Sequence, residues 1–377
     1  MQELFHNLIV TFGSQANAIL FLKQLGMMVI GGVLIFLAIK KQMEPTLLLP
    51  MGFGAILMNI PNHSGSAGIS EVLETLYNAG IANELFPLLL FIGIGAMIDF
   101  GPILSNPKLM IFGAAAQFGI FMTLSLASIF FDIKEAASIA IIGAADGPTS
   151  IVVATQLAPQ LLGPITVAAY SYMALVPVVQ PPVIKLFTTQ KERKIKMPYK
   201  PESVSKLTRI LFPILVTIIT GLIAPGAAAL IGFLMFGNLI RECGVLDSLS
   251  DTAQKVLANL ITLFLGITVA FTMKADAFLS LGTILILALG LFAFVFDTMG
   301  GVLIAKLFNL FLPEGKKINP MIGAAGISAF PMSARIVHKM GQDEDKQNFL
   351  LMHAVGANVS GQIASVIAGG LILNFFI

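Results

Sequence analysis

A carboxylate in the middle of an apolar stretch is the clearest candidate for chemistry in this sequence. Asp146 lies in the run IIGAADGPTSI, residues 141 to 151, among small and apolar side chains. A charged group inside hydrocarbon costs at least a few kcal/mol, so such residues usually face a protein interior or a water-filled cavity and have a function. Alternatively, Asp146 caps a helix that begins at Gly147 and Pro148, which is a common helix start. The two roles can coexist.

Oxygen atoms near helix breaks could form a cation site around this carboxylate. At a break, backbone carbonyls lose their helical partners and can line a polar cavity if protein surrounds them. Carbonyl, carboxylate and amide oxygens together suit an alkali or alkaline-earth ion, and a single carboxylate favours a monovalent one. The candidate ligands are Asp146, Thr149, Ser150, Asn319, Ser328, Asn358 and Ser360. No Cys or His cluster lies near them, which argues against a transition-metal site.

Three further side chains have two interpretations each. The guanidinium of Arg335 suits a carboxylate or carbamate ligand, or it anchors a helix at the cytoplasmic surface. The hydroxyl of Tyr172 could bind a cation or pass a proton, or the ring could simply pack at an interface. Asp297 lies within another apolar run. It could belong to a proton path, although we favour a solvated position near the end of a span.

The elements that must position these residues are membrane-spanning helices. Of the 377 residues, 56% are hydrophobic and only 11% are charged, whereas about 25% of residues are charged in soluble proteins. The apolar runs are long and continuous, unlike the alternating short strands of an outer-membrane barrel. We therefore predict an all-α integral membrane protein. The net charge of +2 does not suggest a nucleic-acid partner.

The apolar runs predict about 10 to 12 transmembrane segments. They cover residues 25–39, 46–60, 85–98, 109–131, 137–160, 163–187, 210–223, 226–241, 258–273, 277–308, 319–337 and 348–377. Lys40 and Lys41 indicate a cytoplasmic end, and the loop 61–83, which has no Lys or Arg, is predicted to lie outside. The basic linker 188–209 is the strongest cytoplasmic marker.

Two interrupted helices suggest an internal repeat. The letters IGAA occur at 142–145 and again at 322–325, which is 180 positions later. The span 25–39 ends at a basic cluster while its counterpart 210–223 begins at one, so the two halves run in opposite directions. We therefore predict two inverted repeats, each with a broken helix (137–160 and 319–337). The first repeat lies in the N-terminal region 1–187, the linker is 188–209 and the second repeat is 210–377. Such repeats indicate a substrate or ion site at the midplane; random similarity among Leu/Gly/Ala-rich spans is the alternative.

Several longer motifs resemble a known family. The motifs are GAADGPT at 143–149, NPMIGAAGISAFPM at 319–332, and FLLMHA at 349–354 followed by GANV at 356–359. They resemble the beta subunit of the sodium-pumping biotin-dependent decarboxylases, which act on oxaloacetate, methylmalonyl-CoA or glutaconyl-CoA. The resemblance covers nearly the whole chain and is strongest at the two interrupted helices and the last span.

The resemblance implies a subunit that decarboxylates carboxybiotin, consumes a proton and exports Na⁺. It implies catalytic roles for Asp146, Tyr172 and Arg335, carboxybiotin contacts at Arg335, Ser328 and Gly323, and Na⁺ ligands at Asp146, Asn319, Ser328 and Asn358. The cofactors would be Na⁺ and biotin carried covalently on another subunit. The partners would be a carboxyltransferase (alpha) subunit, a biotin carrier subunit and a small single-span membrane subunit in the bacterial cytoplasmic membrane, with homo-oligomers allowed.

A second function class shares the same architecture. A sodium-coupled secondary transporter of small organic anions, or a Na⁺/H⁺ antiporter, also combines inverted repeats with broken helices. Such a carrier would need no biotin. The acid or acyl-CoA that supplies the carboxyl group cannot be read from this chain, because that chemistry would belong to another subunit.

Overall fold

The computed structural model describes residues 15–42, 44–60, 69–198 and 204–377, and all regular structure in these ranges is helical. The first half contains α1 Gln15–Lys41, α2 Pro45–Met58, α3 Ile69–Gly80, α4 Leu85–Met97, α5 Gly101–Ser105, α6 Met110–Ala116, α7 Phe118–Ala127, α8 Ile133–Ala140, α9 Gly147–Leu157, α10 Leu162–Phe187 and α11 Gln190–Arg193. The second half contains α12 Lys206–Ile223, α13 Ala228–Glu242, α14 Asp247–Asp251, α15 Ala258–Val269, α16 Ala275–Phe278, α17 Leu281–Phe311, α18 Met321–Ala324, α19 Met332–Glu344 and α20 Leu351–Phe376. Part of the predicted outer loop, 61–68, and part of the basic linker, 199–203, lie outside the described residues.

The prediction of an all-α membrane protein is confirmed. In the described ranges six helices are long and apolar enough to cross a bilayer, and up to eight if each of two bent pairs counts as one span. The other predicted spans are helices too, but α2, α4 and α13 have only 13 to 15 residues, fewer than the roughly 20 that a span needs. The segments 137–160 and 319–337 fall short for another reason, because both fold back on themselves.

The first interrupted segment forms a hairpin of α8 and α9, which we call the first hairpin. A short 3-10 turn over Ile141–Ala144 and a left-handed Ala145 (φ 53°) separate the two helices. At its open end Gln160 Nε2 donates to Glu135 Oε1 over 2.9 Å. The predicted break in the helix is confirmed. Since the two arms begin and end side by side, however, the segment reverses at the break and does not continue across the membrane as one span. The chain reverses where Gly147 and Pro148 start a new helix.

The second interrupted segment, 319–344, also folds back, and we call it the second hairpin. Asn319 precedes its first arm and Asn348 follows its second, and both donate to the carbonyl of Arg193, over 2.8 and 3.0 Å. The side-chain amide of Gln180 on α10 holds the arms together through Ala324 O (2.8 Å) and Ser333 Oγ (2.8 Å). Its tip is the irregular stretch 325–331 between α18 and α19.

The two hairpins enter from opposite ends of the molecule and their tips meet. Helix α10 connects the open end of the first hairpin to the segment that holds the second. It has 26 residues, or roughly 39 Å at about 1.5 Å per residue, with a bend of 65°. At the tips, the amide of Ser328 donates to Ala144 O over 3.3 Å. Helix α20 packs against both hairpins and forms the third wall of this junction.

Four of the remaining helices pack in two reciprocal pairs. Helix α2 packs on α15, and α4 packs on α13. In each pair an asparagine donates to a carbonyl just beyond the end of the partner helix. Asn59, which follows α2, donates through Nδ2 to Met273 O (2.8 Å), and Asn238, near the end of α13, donates through Nδ2 to Ile98 O (3.1 Å). Both side chains are buried. Helices from the two halves of the chain therefore pack directly against each other.

Candidate functional site

Asp146 lies at the junction of the two hairpin tips and α20. Its side chain is 3% exposed. Three donors converge on one oxygen, Oδ2: Thr149 Oγ1 at 2.6 Å, Ser365 Oγ at 3.1 Å and Gln362 Nε2 at 3.2 Å. Hydrogen bonds to a charged acceptor stabilise it by about 1.5–3 kcal/mol each. The site is thus built to hold a carboxylate in a buried position.

Helix capping does not account for this aspartate. Asp146 does occupy the position before α9, and Pro148 lies in the first turn, as predicted. Its carboxylate, however, also accepts hydrogen bonds from Gln362 and Ser365 on α20, outside the helix that it would cap. Its acceptor capacity is directed to the Thr149 hydroxyl and across to α20, so the interpretation of Asp146 as a cap alone is not supported by the geometry.

The polar face of α20 contributes two residues that sequence reasoning missed, Gln362 and Ser365. Together with Asn358 they lie at positions i, i+4 and i+7, which places all three on one face of a helix. This spacing of polar residues in an apolar 26-residue helix was the signal that could have found them. The Ser365 hydroxyl also lies 3.0 Å from Gln362 O. Because it has one proton, it can donate to Asp146 or to that carbonyl, but not to both.

Asn358 and Ser328 are brought to the same junction. The Asn358 amide donates to Ile327 O over 2.6 Å, and Ser328 Oγ donates to Gly361 O over 3.0 Å. The Asn358 Oδ1 atom is buried and has no hydrogen-bond partner among the described residues. This buried amide oxygen lies on α20 one helical turn from Gln362, which itself bonds Asp146. An alkali ion bound at the junction could use this oxygen as a ligand.

Asn319 and Gly323 lie elsewhere. Asn319 is fully buried at the open end of the second hairpin, and its Nδ2 donates to Arg193 O and Ile195 O over 2.8 and 2.9 Å. Its Oδ1 accepts from the amide of Met321 over 3.1 Å. Gly323 packs on Gly301 of α17, where a Cβ on either residue would collide with the other's carbonyl. The structure therefore does not bring these two residues to Asp146.

The two tyrosines of α10 have different surroundings. The hydroxyl of Tyr172 donates to Leu287 O on α17, and its ring packs on Gly290. Tyr170 packs directly on Gly147, next to Asp146, and its hydroxyl has no partner among the described residues. The tyrosine nearest the carboxylate is thus Tyr170, which the sequence did not single out.

Arg335 is exposed on α19, and no ion pair between described residues involves it. Glu344 is the last residue of α19, and Arg335 lies nine residues before it, roughly 14 Å along the helix towards the hairpin tip. Its guanidinium is thus available to an anion that enters alongside the second hairpin. Ser360 points away from the junction, because its Oγ bonds Leu109 O at 3.1 Å and Ala357 O at 2.6 Å.

Asp297 contradicts the favoured prediction of a solvated span end. It is 0% exposed in the middle of α17. Its Oδ1 accepts from the amide of Gly119 at 2.7 Å, and its Oδ2 has no partner among the described residues. A long apolar helix places it inside the bundle because α7 and the first hairpin pack over that face.

The site offers one carboxylate with amide, hydroxyl and carbonyl oxygens around it. In the described part of the chain no three His, Cys, Asp or Glu side chains are grouped as metal ligands. Any ion bound here would depend on these oxygen atoms, a set that suits a hard monovalent cation.

Comparison with known proteins gives a consistent match. The family model of the Na⁺-transporting oxaloacetate decarboxylase beta subunit matches residues 23–376. The chain is 52% identical to the methylmalonyl-CoA decarboxylase subunit beta of Veillonella parvula, over 92% of this chain and 91% of that protein. It is 51% identical to the glutaconyl-CoA decarboxylase subunit beta of Acidaminococcus fermentans, over 92% of each. Identity to the probable oxaloacetate decarboxylase beta chain of Vibrio cholerae is 45%, over 93% of this chain and 94% of that one. This chain belongs to the family of the Na⁺-transporting oxaloacetate decarboxylase beta subunit.

Proposed function

We propose that this subunit removes carbon dioxide from carboxybiotin and couples that step to the export of Na⁺. In the balanced step, the N–C bond of carboxybiotin breaks, one proton joins the biotin nitrogen, and carbon dioxide leaves. The relatives named as decarboxylase beta subunits support this class of reaction. They do not favour the alternative, a carrier of organic anions that needs no biotin.

The observation that carries the proposal is the meeting of two opposed hairpin tips at one buried carboxylate. A cation at Asp146 would be shielded from both sides of the membrane by protein, with Asn358 Oδ1 and Ser328 within the same junction. Opposed hairpins let the site open to one side at a time if either one moves. This is the arrangement that vectorial transport requires.

A proton and a sodium ion would compete for Asp146. Protonation of the carboxylate removes most of its attraction for a cation. The Ser365 hydroxyl could then turn from Asp146 to Gln362 O, which lies at a similar distance. In this scheme a proton that arrives for decarboxylation displaces Na⁺ from the site. Asp146, Asn358 and Ser328 are the proposed ligands, whereas Asn319 would act by holding the second hairpin in place.

Arg335 is the proposed contact for the carboxyl group of carboxybiotin. Its exposed guanidinium can form two parallel hydrogen bonds to a carboxylate. The side chain lies on the arm of α19 that begins at the tip, so a carboxyl group held there would approach the junction from the side of the basic linker. Gly323 and Ser328, on the same hairpin, would line the path of the carboxyl group. Tyr172 would act indirectly, through its hydrogen bond to α17.

The reciprocal packing of α2 on α15 and α4 on α13 supports the proposed inverted repeats, 1–187 and 210–377. If α2 corresponds to α13 and α4 corresponds to α15, the packing of α2 on α15 is equivalent to the packing of α13 on α4. The two hairpins then correspond as well, one from each side. Matched hairpins would explain why the site lies at the centre of the bundle.

The remaining components follow from the same proposal. Biotin would be carried covalently by a carrier subunit and loaded by a carboxyltransferase (alpha) subunit, both approaching the basic linker 188–209. A small single-span subunit would complete the complex in the bacterial cytoplasmic membrane. The acid or acyl-CoA substrate would be chosen by the carboxyltransferase, since no site for it is evident in the described ranges of this chain.

Asp146→Asn tests the proposal. In the assembled complex we expect sodium-stimulated, avidin-sensitive decarboxylation to fall to background, because the amide keeps the size of the side chain but cannot bind a cation through charge. Asp276→Asn, at an exposed position on α16, is the matched control and should leave activity unchanged. Full activity of Asp146→Asn would contradict the assignment.

A further inference from the structure

A second buried acid, on α17, lies against the first hairpin. Among the described residues only Asp146 and Asp297 are buried acids. A Cβ added at Gly143 would lie 2.9 Å from Asp297 Oδ2. The tip of the first hairpin is therefore flanked by two carboxyl groups, Asp146 towards α20 and Asp297 towards α7 and α17.

The two oxygens of Asp297 differ in their surroundings. Oδ1 receives the amide of Gly119, which is free because the chain breaks between α6 and α7 at Gln117. Oδ2 is buried and makes no hydrogen bond of normal geometry with the described residues, although the backbone amide of Ile120 lies beside the carboxyl group. A purely structural cap for α7 would need only the first of these contacts. An ionised carboxylate with one oxygen unpaired in a membrane interior costs several kcal/mol, so this oxygen calls for a cation.

The close packing between Gly143 and Asp297 favours a proton over a metal ion at Oδ2. The space at Gly143 is bounded by Ala293 Cβ and the backbone nitrogen of Ile120, at 3.0 and 3.3 Å from the added Cβ. Neither is an oxygen, whereas alkali and alkaline-earth ions require several oxygen ligands. A proton needs only the carboxylate itself.

Other charges do not compete at this position. The elements α6, α7 and α18 and the turn 141–144, all packed on α17, contain no titratable side chain. On α10, Tyr172 bonds Leu287 O, ten residues from Asp297 on α17, and Tyr170 packs on Gly147. The charged residues of the other packed segments lie at their ends, away from this point: Lys134, Glu135 and Lys185.

We propose that Asp297 is a proton-binding residue of this subunit, separate from the cation site at Asp146. The step is reversible uptake of one proton from water by the carboxylate, with no other bond made or broken. Neutralising Oδ2 removes the unpaired charge beside Gly143, so the protonated state favours close packing of the first hairpin on α17. The proposal rests on the proposed function for its role in transport, but proton binding itself can be tested independently.

Infrared difference spectroscopy of the membrane-embedded complex, recorded on a change of pH, tests it. We expect Asp146→Asn to retain the carbonyl band of a protonated buried carboxyl group, including its shift in D2O, and Asp297→Asn to lose that contribution. The asparagine can still accept the Gly119 amide, so the fold should persist. Thr298→Val, a buried neighbour on the same helix, should leave the band unchanged.

Two results would overturn the proposal: a spectrum of Asp297→Asn identical to that of the unaltered protein, or no protonated-acid band in Asp146→Asn. If Asp297→Asn does not assemble, the spectrum of Asp146→Asn decides alone, because Asp297 is then the remaining buried acid of the described residues. Sodium-stimulated decarboxylation that survives in Asp146→Asn would refute the proposed function but would not affect the band of Asp297.

Discussion

The sharpest test of the structure concerns Asn319, which the motifs place at the sodium site and the structure places at the base of the second hairpin. Asn319→Ala would remove three hydrogen bonds: two to the carbonyls of Arg193 and Ile195 and one from the amide of Met321. Removal leaves buried backbone groups without partners. The expected loss of stability is about 2–4 kcal/mol, at about 1 kcal/mol for each bond and more for a stranded group.

Asn348→Ala is the matched control for this prediction. Asn348 is equally buried and donates to the same Arg193 carbonyl over 3.0 Å. Its side chain makes only that one hydrogen bond with the described residues, so its loss should cost about 1 kcal/mol. In thermal unfolding of the purified complex, the melting temperature should therefore be highest for the unaltered protein, lower for Asn348→Ala and lowest for Asn319→Ala.

The sodium dependence of decarboxylation separates the two roles of Asn319. If it positions the hairpin, the sodium concentration for half-maximal activity should change by less than about threefold in the variant that remains assembled, since its side chain does not reach Asp146. An increase of about tenfold or more, equivalent to about 1.4 kcal/mol of binding energy, with unchanged thermal stability would refute this reasoning. It would make Asn319 a ligand.

Two further predictions address Asp146 and the loop that follows α19. Gln362→Leu removes one hydrogen-bond donor to Asp146 Oδ2, and this loss favours the protonated carboxyl group. A bond to a charged group contributes about 1.5–3 kcal/mol, so at constant pH the sodium concentration for half-maximal activity should rise about tenfold or more. Ser360→Ala, on the other side of α20, should change that concentration little, and an unchanged value in Gln362→Leu would contradict the site. The amide of Gln347 and the ammonium of Lys196 lower the pKa of Asp345 below its ordinary 3.8, so this group stabilises the fold above about pH 3.8 and the contribution is lost as the pH falls through the lowered pKa. The melting temperatures of the unaltered protein and Asp345→Asn should therefore differ at pH 6 and converge in strong acid, and a constant difference would disprove the linkage.

Local sequence patterns were sufficient to predict that Asp146 is enclosed by protein, because the cost of a carboxylate in hydrocarbon is independent of the fold. The same logic drew attention to Asp297 but misplaced it, since burial depends on which helices pack over α17. Gln362 and Ser365 were missed for the opposite reason. Amides and hydroxyls are common enough in long helices that only their shared direction towards Asp146 distinguishes them, and that direction requires the position of the first hairpin.

Composition and the spacing of apolar and basic residues were sufficient to predict an all-α membrane protein and two interrupted segments. Bilayer thickness and backbone hydrogen bonding impose those features on any such chain. The path of the chain at the interruptions was decided only by tertiary contacts, because a break in a helix permits continuation or reversal equally. Glu135 with Gln160, and Arg193 with Asn319 and Asn348, close the two hairpins. These pairs join residues that are 25 to 155 positions apart, and no local pattern encodes such pairing.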